Sequence, residues 1–218
     1  MKVVIQCAGL KQPDPRRLRK QTGEEIVFVA HPEQCESTPL VRYCRPDDTV
    51  GPDDATWRDT LATYHREGTN PNQLRRAADL YRPKVYRALV DAFDWPNVFI
   101  LSAGWGLIRS DFLTPDYDIT FSGQGKPQSR RSKTCDEPWM DFNHLQDYDS
   151  PDDTVHFFGG LDYLQLYYTL TQHLSARKII HYKGRLTRRQ DYDYAAYSKP
   201  GKQNWHYAAA RDFISRHQ

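Results

Sequence analysis

Residues 98–106 read VFILSAGWG, and this segment decides the fold class of the chain. Its first four residues are apolar, Ser102 closes the run, and two glycines follow. Continuous apolar runs that end in glycine are typical of strands buried on both faces of a sheet. The segment therefore predicts a buried strand over residues 98–102, in a sheet that is covered on both sides.

Four other short apolar runs share this pattern, and three of them also close at glycine; they are residues 3–7, 26–30, 155–158 and 178–182. Between the runs, apolar side chains recur at helical spacing, as Trp57, Leu61 and Tyr64 do. Strands that alternate with helices predict an α/β domain whose central sheet is mostly parallel. We expect three layers, with helices flanking a sheet of about five strands.

The length of 218 residues suits one domain. We expect residues 1–218 to form a single α/β domain, interrupted by a polar insertion at about 122–153. The insertion begins with the basic stretch SGQGKPQSRRSKT and continues with an acidic one. Because long loops are more often functional than structural, the insertion is a candidate binding element.

Apolar composition and cysteine spacing exclude several classes of protein. The longest apolar run covers only residues 26–30, whereas a bilayer span needs about 20 residues. The first residues reach charge and glutamine too early for a signal peptide. The four cysteines show no metal-binding spacing. We therefore expect a cytoplasmic protein with free thiols, no membrane partner, no metal and no cofactor.

The net charge of +2 hides a segregation of charge along the chain. Residues 1–20 carry six Lys and Arg against one acid, and residues 177–218 carry ten against three. Arg is the more frequent of the two, and its planar fork binds two phosphate oxygens at once. If both ends lie on one face, that face would attract a nucleic acid. The alternative is ordinary surface charge that never converges.

The glycine-containing strand exits are candidate ligand sites, because ligands of open α/β sheets bind outside the carboxyl ends of the strands. Glycine there lets backbone N–H groups approach an anion closely, although a tight turn is the better explanation for each glycine taken singly. The glycines after residue 102 lack the third member of the dinucleotide fingerprint, and no P-loop motif occurs. Nucleotide-phosphate motifs therefore do not assign a function.

Residues 98–122, VFILSAGWGLIRSDFLTPDYDITFS, resemble the pattern ILSA-x-x-GL-x-x-P…PYD-x-x-L of the YaaA-like superfamily. This grouping includes the peroxide-stress YaaA proteins and the glycosylase-like domain attached to archaeal tRNA-guanine transglycosylases. Cys7 and Lys11 match a C-x-x-x-K that follows the first strand, and the Gly159-Gly160 exit matches as well. The resemblance covers about half the chain. It implies a fold akin to that of uracil-DNA glycosylase and an involvement with nucleic-acid bases or their damage.

Two features depart from the family pattern. Trp105 stands where the family often has a small or polar residue, and Asp116-Tyr117-Asp118 carries an additional acid. Rupture of a base–sugar bond passes through an oxocarbenium-like sugar, which a carboxylate stabilises while donors take up the charge on the departing base. We expect Asp118 to be the main catalytic acid, followed by Asp116, with Ser102 as a donor. The alternative for Asp118 is a turn cap.

The remaining candidate residues would hold the substrate. Trp105 could stack on a base extruded from the helix, although a place in the core is the alternative. The expected base-binding residues are Cys7, Gly104, Trp105, Tyr117 and Gly160. The expected nucleic-acid-binding residues are Lys11, Arg130, Arg131, Lys133, Lys183 and Arg185. His156 and His181 alternate with apolar residues inside predicted strands, so we expect core histidines there rather than catalytic bases.

The leading hypothesis is a metal-independent DNA glycosylase that hydrolyses the N-glycosidic bond of an unusual or modified base in single- or double-stranded DNA. The GQDPY-like motif of ordinary uracil enzymes is absent, which favours an unusual base. Such an enzyme would serve DNA repair or antiviral defence against phage with modified DNA. One alternative is a non-catalytic DNA-binding stress-response protein of the YaaA kind. Another is a nucleoside- or nucleotide-processing enzyme that uses the same pocket.

Overall fold

The computed structural model describes residues 1–20, 22–51, 54–199, 201 and 204–218. The strands are β1 (Lys2–Gln6), β2 (Glu25–Val29), β3 (Val41–Cys44), β4 (Arg75–Arg76), β5 (Val98–Ser102), β6 (Gly106–Arg109), β7 (Leu113–Thr114), β8 (Tyr117–Asp118), β9 (Phe142–Asn143), β10 (Thr154–Phe158), β11 (Arg177–Tyr182) and β12 (Asp193–Ala196). The α-helices are α1 (Trp57–Glu67), α2 (Ala77–Leu80), α3 (Val85–Phe93), α4 (Leu164–Thr171) and α5 (Trp205–His217). In these ranges no helix has the length and apolar composition that a membrane span needs.

A seven-stranded sheet in the described residues forms the centre of the fold, in the order β12-β11-β10-β1-β5-β6-β9. β1 pairs in parallel with β10 and β5, and β11 and β12 continue the parallel arrangement. β6 is antiparallel to β5, and β9 runs parallel to β6. The prediction of an α/β fold with a mostly parallel sheet is confirmed. The expected five strands were too few, because β6, β9 and β12 are too short or too polar to stand out in the sequence.

Helices cover both faces of this sheet. Neighbouring residues of a strand point to opposite faces. In β10, the ring of His156 contacts Phe213 of α5 at a centroid distance of 4.5 Å, while Phe157 stacks on Tyr167 of α4 at 4.2 Å. Helices α5 and α4 therefore lie on opposite faces of β10.

The predicted strand at residues 26–30 forms, as β2, but it belongs to a second sheet. This smaller sheet is parallel and has the order β3-β2-β8. Ile26 and Phe28 are fully buried, and the ring of Phe28 meets that of Trp105 edge-on at 5.0 Å. The assignment of this run to the central sheet was wrong, because an apolar run records burial and not which strands it pairs with.

The polar insertion at 122–153 is tied to the central sheet. Phe142 and Asn143 form β9 beside β6, and the Phe142 amide donates to the Trp105 carbonyl at 3.0 Å. Arg131 is buried and holds the carboxylate of Asp141. The insertion therefore packs against the exit of β5.

Candidate functional site

A cavity of about 360 Å³ opens beyond the carboxyl end of β1, against one face of the smaller sheet. It includes three cations, from Lys11, Arg17 and Lys126, and two carboxylates, from Asp116 and Asp118. Its other lining residues are Gly9, Gln12, Val27, Val29, Tyr43, Tyr117 and Gln128. The cavity thus unites the predicted catalytic acids with the lysine that follows the first strand.

Strand alternation explains why both carboxylates reach the cavity. Asp116 and Asp118 are two residues apart along an extended segment, so they share one face, and Tyr117 points to the other. Tyr117 is 3% exposed, whereas Asp118 is exposed. In the parallel register Asp118 pairs with Val29, which also lines the cavity.

The Asp118 carboxylate is held from the insertion. The Ser129 hydroxyl donates to its Oδ2 atom at 2.7 Å. Ser129 is buried, and its carbonyl accepts a hydrogen bond from the Thr120 amide at 2.8 Å. Burial and this backbone hydrogen bond hold the Ser129 hydroxyl in place. The carboxylate therefore has a defined orientation rather than the freedom of a surface acid.

Lys11 is anchored by its backbone and half-buried by its surroundings. The Gln12 amide donates to the Leu80 carbonyl at 2.9 Å, and the backbone of Lys11 pairs with that of Tyr81 in an isolated antiparallel β-bridge. Its Nζ donates to the Tyr117 carbonyl at 2.5 Å and lies 4.1 Å from the centre of the Tyr117 ring. Burial lowers the pKa of Lys11 below its ordinary value, against the opposing charges of Asp116, Cys7 and Asp118.

Eight of the cavity residues were not among the sequence candidates, and they include Arg17, Tyr43, Lys126 and Gln128. Arg17 belongs to the basic first 20 residues and also pairs with Glu25 at 3.0 Å. Lys126 and Gln128 belong to the basic half of the insertion, so the charge pattern pointed to the right segments but not to these residues. Tyr43 carried no signal, because nothing in the sequence placed β3 beside β2.

Ser102, Gly104 and Trp105 lie beneath the cavity, in the interior. The Ser102 hydroxyl donates to the Tyr117 hydroxyl at 2.9 Å and accepts the amides of Gly104 and Trp105 at 3.2 and 3.1 Å. The hydroxyl and both amides are thus engaged with protein groups, and the donor role of Ser102 toward a departing base stays a prediction. Trp105 has no exposed surface, so it lies in the core, which was the alternative to its expected stacking on a base.

Two buried arginines donate hydrogen bonds to the backbone carbonyls of the residues that follow β5. Arg58 donates to the carbonyls of Gly104 and Trp105 at 2.9 and 3.1 Å, and Arg131 donates to that of Ala103 at 2.9 Å. Arg131 also makes two hydrogen bonds to Asp141, at 2.9 and 2.5 Å. Arg131 is therefore buried, with its two Nη atoms bonded to protein groups, and its expected contact with nucleic acid stays a prediction.

Cys7 and Gly160 lie at the neighbouring exits of β1 and β10. The Sγ atom of Cys7 and the hydroxyl of Tyr163 are 3.1 Å apart, and both residues are buried. The Gly160 amide donates to Oε1 of Gln6 at 2.5 Å. Burial raises the pKa of the Tyr163 phenol well above its ordinary value, so it stays protonated. Both predicted base-binding residues are engaged with protein groups and do not line the cavity.

The other predicted nucleic-acid contacts are distributed around the same edge of the central sheet. Arg130 is exposed, and Lys133 pairs with Asp162, beyond the end of β10, at 2.8 Å. Lys183 follows β11, and its Nζ donates to the carbonyls of Lys199 and Gly201 at 2.5 and 2.6 Å. Arg185 is exposed two residues later. None of these four lines the cavity.

Two other cavities contain none of the residues predicted to be catalytic, base-binding or nucleic-acid-binding. One of about 420 Å³ lies between β12 and α5, and one of about 240 Å³ is lined by Arg109 and His144. Within the described ranges no three His, Cys, Asp or Glu side chains are grouped so that they could hold a metal ion.

Comparisons of the chain with protein-family models, with curated proteins and with solved structures found no match.

Proposed function

We propose that the protein is a DNA glycosylase-type enzyme, which cleaves the N-glycosidic bond of an unusual or modified base. The observation that carries the proposal is the joint presence of two carboxylates and three cations in one cavity at the carboxyl end of β1. A nucleotide within DNA presents both an anionic backbone and a sugar that becomes cationic during bond rupture. The cavity has a matching group for each.

Asp118 is the acid that suits the sugar cation best. As C1′ loses the base, positive charge develops on the sugar, and a fixed negative charge nearby stabilises that state more than the ground state. The hydrogen bond from Ser129 orients the carboxylate in advance. Asp116, on the same face, is suited to orienting the attacking water.

The cations and the aromatic wall suit the rest of a nucleotide. Lys11, Arg17 and Lys126 would attract the phosphates flanking the target. Tyr43 is only half-buried, so it offers the stacking surface that Trp105 lacks. Gln128 carries both a donor and an acceptor for the edge of an extruded base. The volume, about 360 Å³, is near the lower end of the roughly 300–1,000 Å³ of small-ligand sites, which fits one nucleotide.

The experiment is release of free base, measured by mass spectrometry, from a panel of DNAs that each carry a different modified base. Asp118→Asn should lower the rate by about a hundredfold or more, the effect of one preorganised electrostatic contact. Binding of intact DNA should change little, because Asn keeps the shape of the side chain. Any change should be toward tighter binding, because a negative charge beside the phosphates has been removed. The matched control is Asp91→Asn on the exposed surface of α3, which should leave the rate unchanged.

One outcome would contradict the role of Asp118, and two others would contradict the proposed function itself. Full turnover by folded Asp118→Asn would remove the assigned role and direct attention to Asp116. Salt-sensitive DNA binding without release of any base from the panel would favour the non-catalytic DNA-binding alternative. Turnover of free nucleosides without DNA binding would favour the small-ligand alternative.

A further inference from the structure

Two amines line the cavity, and only one of them is partly buried. Lys126 is exposed at the start of the insertion, whereas Lys11 is half-buried beneath the carboxylates. A lysine withdrawn from water holds its proton less firmly than a surface lysine, and such amines act as nucleophiles toward carbonyl carbons. The lowered pKa of Lys11 has this cause.

The contacts of Lys11 leave its nitrogen able to react. One N–H of the amine donates to the Tyr117 carbonyl, and Nζ lies 4.1 Å from the centre of the Tyr117 ring. Once the ammonium gives up one proton, the nitrogen has a lone pair while that hydrogen bond is kept. The backbone on either side is fixed, since Gln12 donates to Leu80 at 2.9 Å and Arg82 donates to Leu10 at 3.1 Å. The nitrogen is therefore presented from a rigid support, as a nucleophile requires.

We propose that Lys11 is a covalent nucleophile toward C1′ of the sugar, which gives the protein an abasic-site lyase activity beyond base release. This inference rests on the proposed function for its substrate class, a sugar of DNA that has lost its base. The carboxylates of Asp116 and Asp118 in the same cavity are the proton acceptors that the steps need.

The steps balance without a further reactant. A cavity carboxylate takes a proton from the Lys11 ammonium, and the freed lone pair of Nζ adds to the aldehyde carbon C1′ of the ring-opened abasic sugar, forming a C–N bond and a carbinolamine. The same carboxyl group returns the proton to the carbinolamine hydroxyl, which leaves as water and gives a protonated imine. A carboxylate then removes a proton from C2′, the C3′–O3′ bond breaks, and the 3′ phosphate leaves with the electron pair. Hydrolysis of the imine restores Lys11.

The test uses an oligonucleotide with one preformed abasic site, so that it does not depend on which base the protein releases. Cyanoborohydride reduces a protonated imine to a stable secondary amine, and the protein–DNA adduct is then seen by electrophoresis. Digestion and mass spectrometry of the wild-type adduct should place the modification on Lys11. Lys11→Arg keeps the positive charge and cannot form an imine, so it should give no adduct above background.

Lys84→Arg is the matched control, because it changes an exposed amine that does not line the cavity and should leave the adduct yield unchanged. Melting temperatures of both variants show whether they fold. Absence of an adduct with the wild-type protein would overturn the inference, and so would an adduct mapped to Lys126 or the N-terminus. Base release without an adduct would overturn this inference alone, whereas an adduct on Lys11 without base release would support it and contradict the proposed function.

Discussion

Arg131 provides the sharpest test of how the insertion is held, because the sequence placed it on DNA and the structure places it in the interior. Its side chain and that of Asp141 are 3% and 7% exposed. The pair shares two hydrogen bonds, and Arg131 makes a third to the Ala103 carbonyl. Arg131→Ala removes all three and leaves the Asp141 carboxylate buried with a weaker partner.

The expected cost follows from that burial. Removing one partner of a buried ion pair costs about 3–5 kcal/mol, because the remaining charge loses its compensation. Arg58 lies 3.7 Å from Asp141 and supplies part of that compensation. We therefore expect a loss near the lower end, about 3 kcal/mol. In a protein of this size such a loss lowers the melting temperature by about 6–12 °C.

The assay is urea denaturation of wild type and variant, with Arg130→Ala as the matched control. Arg130 is the adjacent residue and is exposed, so its replacement should change the free energy of unfolding by no more than about 0.5 kcal/mol. A loss below about 1 kcal/mol for Arg131→Ala would refute the reasoning, since it would equal a single ordinary hydrogen bond. Replacing Arg131 and Asp141 together with apolar residues should recover part of the loss.

DNA binding, the core and acid stability each give a further expectation. Arg130→Ala with Lys133→Ala should weaken DNA binding and reduce the salt slope by about one for each phosphate that the variant no longer binds, and an unchanged slope in a titration would exclude both residues from the interface. Ile100 is fully buried in β5, so Ile100→Ala should lower the unfolding free energy in urea by about 2–5 kcal/mol. Burial lowers the pKa of His156 to about 4 and that of His181 to about 3. Because the unfolded chain then binds protons first, the unfolding free energy should fall as pH drops from about 6.5 toward 4, and a flat profile would contradict neutral rings.

The sequence predicted the strands of the central sheet where burial was continuous. The expected strand at 98–102 is β5, and those at 155–158 and 178–182 are β10 and β11 with one residue added at the start of each. The short strands were not predicted, and the reason is physical. β9 has two residues and β12 is half-exposed, so neither produces an apolar run that distinguishes it from a loop.

The candidate site was predicted in part. Lys11, Asp116, Tyr117 and Asp118 line one cavity. Lys11 follows β1 of the central sheet, as the rule of ligand sites at strand exits predicts, whereas Tyr117 and Asp118 form β8 of the smaller sheet. Tyr43 and Arg17 could not be found this way. Their positions depend on the pairing of β2 with β3 and on a long loop, and neither is specified by local residue pattern.

Tyr117 explains why the segment at 98–122 combines interior residues with cavity residues. Its hydroxyl accepts from Ser102 and is 2.9 Å from that of Tyr81, which ties it to the buried exit of β5. Its carbonyl receives the Lys11 amine, and the residues on either side of it are the two cavity carboxylates. A shift of the β5 exit would therefore move the amine and both acids together. The residues of this segment divide into a buried part that positions the backbone and a part that lines the cavity, and sequence pattern alone does not separate the two.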